Sequence, residues 1–135
     1  MRIIKQKIGI LPSNFKREKE YLTKLNISTW DQLKDLTDKT LYEIVAHSFC
    51  SINNLKKLRN IALFVTLLKI TQHEASILMH SGITSIEALS RISPQELMSR
   101  TGRLERKLNT TRETLFQLKK ANYLIEMAKK RQNQN

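Results

Sequence analysis

Apolar residues recur along the chain at three- and four-residue intervals, broken every ten to twenty positions by capping residues. That is the period of amphipathic helices lying on a core. The clearest stripe is Leu115, Leu118, Ala121, Leu124, Ile125 and Ala128, interrupted by the polar Asn122. Start signals are Thr or Ser followed three residues later by Glu or Gln: Thr29 with Gln32, Thr71 with Glu74, Thr84 with Glu87, and Thr110 with Glu113. Thr37 and Ser51 serve as simpler starts, and Ser93-Pro94-Gln95-Glu96 adds a proline at the first helical position. Stop signals are Asn26, Gly82 and Gly102. Together they predict an all-α chain with helices over 14–25, 30–36, 38–46, 52–67, 72–81, 86–91, 95–101, 104–108 and 111–130.

The pattern repeats. Shifted by 56 positions, Tyr21 to Val45 overlies Ile77 to Thr101 without a gap: Leu22 on Leu78, Asn26 on Gly82, Ile27 on Ile83, Trp30 on Ile86, Leu33 on Leu89, and Leu41 on Leu97. Apolar, hydroxyl and acidic positions all keep register, which marks two copies of one helical unit. The organisation expected is a first unit over 1–67, a second unit with the C-terminal helix over 68–130, and a frayed tail at 131–135, in one body. The copies also sort the aromatic residues. Trp30, Tyr42 and Tyr21 face Ile86, Met98 and Ile77, so all three are expected in apolar slots, whereas Tyr123 has no counterpart.

Composition narrows the function. The longest apolar run, Ile61 to Leu68, is far short of the ~20 residues that span a bilayer. Met1 to Lys7 carries charge where a signal peptide would be apolar. Cys50 is the single cysteine and fits a reducing compartment. Abundant Ile, Lys and Asn match AT-rich codons, hence bacterial cytoplasm or plastid stroma. The formal charge is +12 over 135 residues, attractive to polyanions. It peaks from Arg100 to Asn135, where ten basic residues face only Glu105, Glu113 and Glu126.

Catalytic and metal chemistry find little support. His73 and His80 lie seven apart, too far for a chelating pair on a helix, and His47 has no acidic or cysteine set at ligand spacing. Cys50 near His47 lacks an orienting carboxylate and an oxyanion site. Asp35 with Asp38 and Glu18 with Glu20 read as solvated faces or caps. No enzyme, metal or cofactor is expected.

The stretch from Lys69-Ile70-Thr71 through Ala75 to Ile77-Leu78 follows the helix-hairpin-helix spacing of Gly-Ile-Gly, a spacer, Ala and an apolar pair. With Leu58, Ala62, Ser81-Gly82-Ile83-Thr84-Ser85, Ala88-Leu89 and Arg103-Leu104, the chain from about Leu11 to Ala128 resembles a cyanobacterial and plastid family of tandem helix-hairpin-helix proteins, a domain of unknown function. The resemblance implies sequence-independent binding of a nucleic-acid backbone, with hairpin amides meeting a phosphate. Here Lys69 and Thr71 replace the two glycines, and Gly9-Ile10-Leu11-Pro12 is only a partial match in the first copy. The expectation is a nucleic-acid-binding accessory protein contacting phosphates through Arg100, Arg103, Arg106, Lys107, Arg112, Lys119 and Lys120, with Lys69 and the Thr71 helix start as a secondary anchor. The alternatives are docking on an acidic protein partner and, more weakly, peripheral membrane binding through the last helix.

Overall fold

The computed structural model describes residues 6–108 and 116–132. Among them are eight α-helices: α1 Lys16–Lys24, α2 Trp30–Lys34, α3 Asp38–Ala46, α4 Ile52–Leu68, α5 Gln72–His80, α6 Ile86–Arg91, α7 Pro94–Lys107 and α8 Leu118–Gln132. A 3₁₀ turn, Ser13–Phe15, leads into α1. Ahead of it, residues 6–8 pair in extended form with the α1–α2 turn, Ile8 N–H donating to Ser28 O and Trp30 N–H to Gln6 O.

Local chemistry sets most boundaries. Thr29, Thr37, Ser51, Thr71, Ser85 and Ser93 each accept a backbone N–H three residues on and so start α2 to α7. The boxes at Thr29–Gln32 and Thr71–Glu74 are closed in both directions. At the α6 start the cap is Ser85 rather than Thr84, one residue later than expected. Glu96 leaves its box open and turns to Arg100 instead, because an arginine one turn on offers the carboxylate a charged donor.

Asn26 and Gly82 both take the left-handed conformation, with φ of 61° and 89°. Asn26 N–H donates to Thr23 O and Ile27 N–H to Leu22 O, and Gly82 and Ile83 repeat the pair on Met79 and Leu78. Both helices therefore end in the same Schellman turn, with Ile27 over Leu22 and Ile83 over Leu78. The correspondence extends to the helices: α1, α2 and α3 begin 56 positions before α5, α6 and α7. In the first set α2 and α3 pack on α4, and in the second α6 and α7 pack on α8. The sets meet through α4, which touches α5 and α8.

Helix α4 is the centre of the core. It buries Leu55, Leu58, Ile61, Ala62, Phe64, Val65 and Leu68, its larger side chains each worth about 1.5–3 kcal/mol on removal from water. The buried hydrophobic residues, from Ile8 to Ala128, form one cluster.

Several expectations are corrected. Glu18, expected on a solvated face, is buried, because its carboxylate accepts from Ser51 N–H and Asn54 Nδ2 at the start of α4. Gly102 does not end a helix, and the segments 95–101 and 104–108 are one helix, α7. Leu97, Thr101, Gly102 and Glu105 are all buried on the side of α7 that continues through the glycine, and α7 packs on α8; that packing outweighs the ~1 kcal/mol propensity deficit of a helical glycine. Tyr42 is 54% exposed, unlike the buried Trp30, and the Lys56 ammonium lies 5.4 Å from its ring centre. Tyr21 is half-buried against the core. The Thr110–Glu113 start and residues 111–115 of the expected 111–130 helix lie outside the described residues, but Phe116 and Gln117 are described and not helical, so α8 begins at Leu118. It also runs on through Arg131 and Gln132, expected in a frayed tail, because Arg131 donates to Leu67 O and Gln132 accepts from Ser90.

Candidate nucleic-acid interface

The α5 C-terminus and the second half of α7 form a cationic surface. Arg100, Arg103 and Lys107 stand at i, i+3 and i+7, one face of α7. With His80, Ser81 and Leu104 they line a shallow cleft of about 180 Å³. The Schellman turn lies beside them: an Arg100 guanidinium nitrogen is 3.7 Å from where a Cβ on Gly82 would stand, an ordinary contact, and it is the φ of 89° that favours glycine there. Arg100 Nε donates to Glu96 Oε1 at 2.8 Å, and Arg103 donates to Ser99 Oγ at 3.3 Å. A 2.8 Å contact between His80 Nδ1 and Ser76 O orients the imidazole. Arg106, also exposed, stands on the same helix beside Gly102. These cations raise the local potential toward any anion, and their exposure leaves that potential sensitive to salt.

At the other end of α5 the chemistry is different. Lys69 ends α4 with φ 56° and ψ 47°, the left-handed geometry that glycine adopts without strain. Thr71 N–H and its hydroxyl both donate to Glu74 Oε1, at 3.0 and 3.1 Å, and Glu74 N–H donates back to Thr71 Oγ1. The other Glu74 carboxylate oxygen pairs with the Lys120 ammonium from α8. Gln72 fastens the N-terminal segment over this turn, accepting from Gly9 N–H at 2.8 Å and donating to Ile10 O at 3.0 Å. The donors that would meet an external phosphate at Thr71 are thus held by an internal carboxylate.

The sequence-derived site residues separate accordingly. Arg100, Arg103, Arg106 and Lys107 share α7, while Lys69, Thr71 and Lys120 gather at the α5 N-terminus, roughly 13 Å away at 1.5 Å per residue. Lys119 is exposed on the first turn of α8, and Arg112 lies outside the described residues. Sequence reasoning missed His80 and the anionic role of Glu74. A signal for His80 existed, because its slot in the first copy holds another basic residue, Lys24.

A family model described as a domain of unknown function (DUF4332) matches residues 12–131. The chain belongs to that family. No curated protein and no solved structure matches it. Among the described residues the DUF4332 span takes in α1 to α7 and all but the last residue of α8, but not the 6–10 segment docked over Gln72.

The remaining reactive groups are structural in setting. Burial pushes the Cys50 thiol up from its ordinary value, against a hydrogen bond from Ser48, so the neutral thiol prevails, and it donates to Arg17 O at 3.7 Å. Hydrogen bonding and charge from Arg59 hold the Asp38 carboxyl below its ordinary range. The same guanidinium donates to Leu36 O, clipping the α2–α3 turn to α4. Among the described residues no group of three or more His, Cys, Asp and Glu side chains is placed to hold a metal, and no helix is long and apolar enough to cross a membrane.

Proposed function

We propose that this DUF4332 chain is a non-enzymatic nucleic-acid-binding accessory protein that grips the phosphate backbone with little readout of sequence. The observation that carries the reading is the convergence of Arg100, Arg103 and Lys107 with His80 beside the Gly82 turn. Exposed cations at helical spacing, next to a turn where the backbone lies open, suit a row of phosphates. We read the paired α1–α4 and α5–α8 sets as tandem helix-hairpin-helix-like units of a family rooted in cyanobacteria and plastids. The setting is then bacterial cytoplasm or plastid stroma. The matching Schellman turns at Asn26 and Gly82 support the tandem reading.

Contact belongs to the α7 cleft rather than to the α4–α5 hairpin, because Glu74 fills the hairpin's anion position. Fluorescence titration of labelled DNA and RNA at two salt concentrations tests the reading. Binding to both, weakening steeply with salt, is expected. Undetectable binding at low salt overturns it, and retention of a protein partner after nuclease treatment would then favour an acidic protein as the ligand.

A further inference from the structure

We propose that the cleft between α1 and the turn after α3 is a subsite for one nucleotide of a single-stranded nucleic acid, with Phe49 stacking on the base and Arg17 and Lys24 holding the adjoining phosphate. This rests on the nucleic-acid reading above and assigns part of the ligand to a second place on the molecule. The cleft is lined by Arg17, Glu20, Tyr21, Lys24, His47 and Phe49, and has a volume of about 530 Å³. That is within the roughly 300–1,000 Å³ typical of small-molecule sites.

Phe49 is 88% exposed, although the backbone on either side of it is fixed. Ser48 Oγ donates to Ile44 O at 2.5 Å and accepts from Cys50 N–H at 3.1 Å. Ser51 N–H donates to the buried Glu18 carboxylate at 2.8 Å. A ring held out on a pinned turn is preorganised to receive a flat partner. Arg17 and Lys24 supply positive charge beside it, and Glu20 is the one carboxylate among the lining residues.

Position in the fold gives a second argument. Lys24, at the end of α1, occupies the slot that His80 occupies at the end of α5, and each lines its own cleft; past Val45 the two sets diverge, the chain leaving α3 at Ala46 whereas α7 continues to Lys107. Phe49 thus stands on a turn where the second set continues as helix, and the residue 56 positions on, Glu105, is buried in α7. One cleft is therefore cationic alone, and the other is cationic and aromatic. An acidic peptide would be met by the cations but offers a flat face to Phe49 only where it carries an aromatic side chain, whereas an unpaired base offers one in every sequence.

The test compares an unstructured thymidine oligonucleotide of about 20 nucleotides with a duplex of the same length, using Phe49→Ala, Phe49→Trp and the unaltered protein. Phe49→Ala is expected to weaken single-strand binding about tenfold and duplex binding by less than about twofold. Phe49→Trp should retain single-strand binding and lose indole emission as the oligonucleotide is added. Circular dichroism melting confirms that the exposed position leaves the fold intact. Equal losses on both ligands, or no loss on the single strand while duplex binding persists, overturns the subsite alone. A glutamate- and tyrosine-rich peptide that binds in a Phe49-dependent way, in place of the oligonucleotide, also overturns it. Failure of the unaltered protein to bind either nucleic acid at low salt removes the broader reading and the subsite with it.

Discussion

Replacing Glu74 separates its work as a helix cap from its work as a counter-ion. Glu74→Gln keeps the shape and the capping geometry, since Gln32 closes the same kind of box at Thr29. It removes the ion pair with Lys120, in which the two side chains are 10% and 36% exposed. That burial lies between exposed pairs, worth up to about 1 kcal/mol, and buried pairs, whose breakage costs about 3–5 kcal/mol. A loss of about 1–2 kcal/mol is therefore expected. Glu74→Ala also removes the two hydrogen bonds from Thr71, adding about 1 kcal/mol. Urea unfolding followed by far-UV circular dichroism measures both, and a double-mutant cycle with Lys120→Met should give a coupling of about 1 kcal/mol. Because Glu74→Gln frees the Lys120 ammonium, it should also raise duplex DNA affinity a few-fold while stability falls. A coupling indistinguishable from zero, or affinity that drops with stability, would refute the claim that an internal carboxylate fills the hairpin.

Three further substitutions probe the frame. Lys69→Gly should stabilise the fold by up to about 1 kcal/mol, because φ is 56° there and glycine adopts it without strain; an unfolding midpoint below that of the unaltered chain contradicts this. Gly102→Ala should stabilise by about 0.5–1 kcal/mol, since an added Cβ meets only the end of the flexible Arg106 side chain, at 3.3 Å; a destabilised variant in the same urea assay would show that α7 needs the gap. Asp38→Asn tests the Arg59 clip through pH. The folded carboxyl titrates below its unfolded value near 3.8, so its stabilisation is present above that pH and fades as pH falls through the lowered value. The stability difference between Asp38→Asn and the unaltered protein should be present at neutral pH and close in acid; a pH-independent difference contradicts the assignment.

Much of the helical layout was legible because it is written in short-range chemistry. Ser and Thr caps, Asn26, Gly82 and Pro94 act within a few residues of themselves, and the 56-residue repeat states most of these slots twice. What was not legible depends on partners far along the chain. Gly102 looks like a terminator until α8 is packed against α7. The copies placed Trp30 correctly in the core but misplaced Tyr42, whose slot is only partly covered where Met98 sits. On the candidate site, the basic run of α7 was visible from charge alone. The union of Glu74 with Lys120, and of His80 with Arg103, needed the α5 helix to carry one end of each toward α8 and α7. Phe49 carried no sequence signal, because the two copies diverge past Val45.

The central claim is that the exposed face of α7 holds phosphates. It is tested most directly by the salt dependence of duplex DNA binding for the unaltered protein and for Arg103→Ala/Lys107→Ala. Each phosphate neutralised contributes about 0.9 to the slope of log affinity against log salt. The double variant should bind more weakly at low salt and lose about 1.8 from that slope, with its melting temperature unchanged. An identical slope in the two proteins would contradict the account.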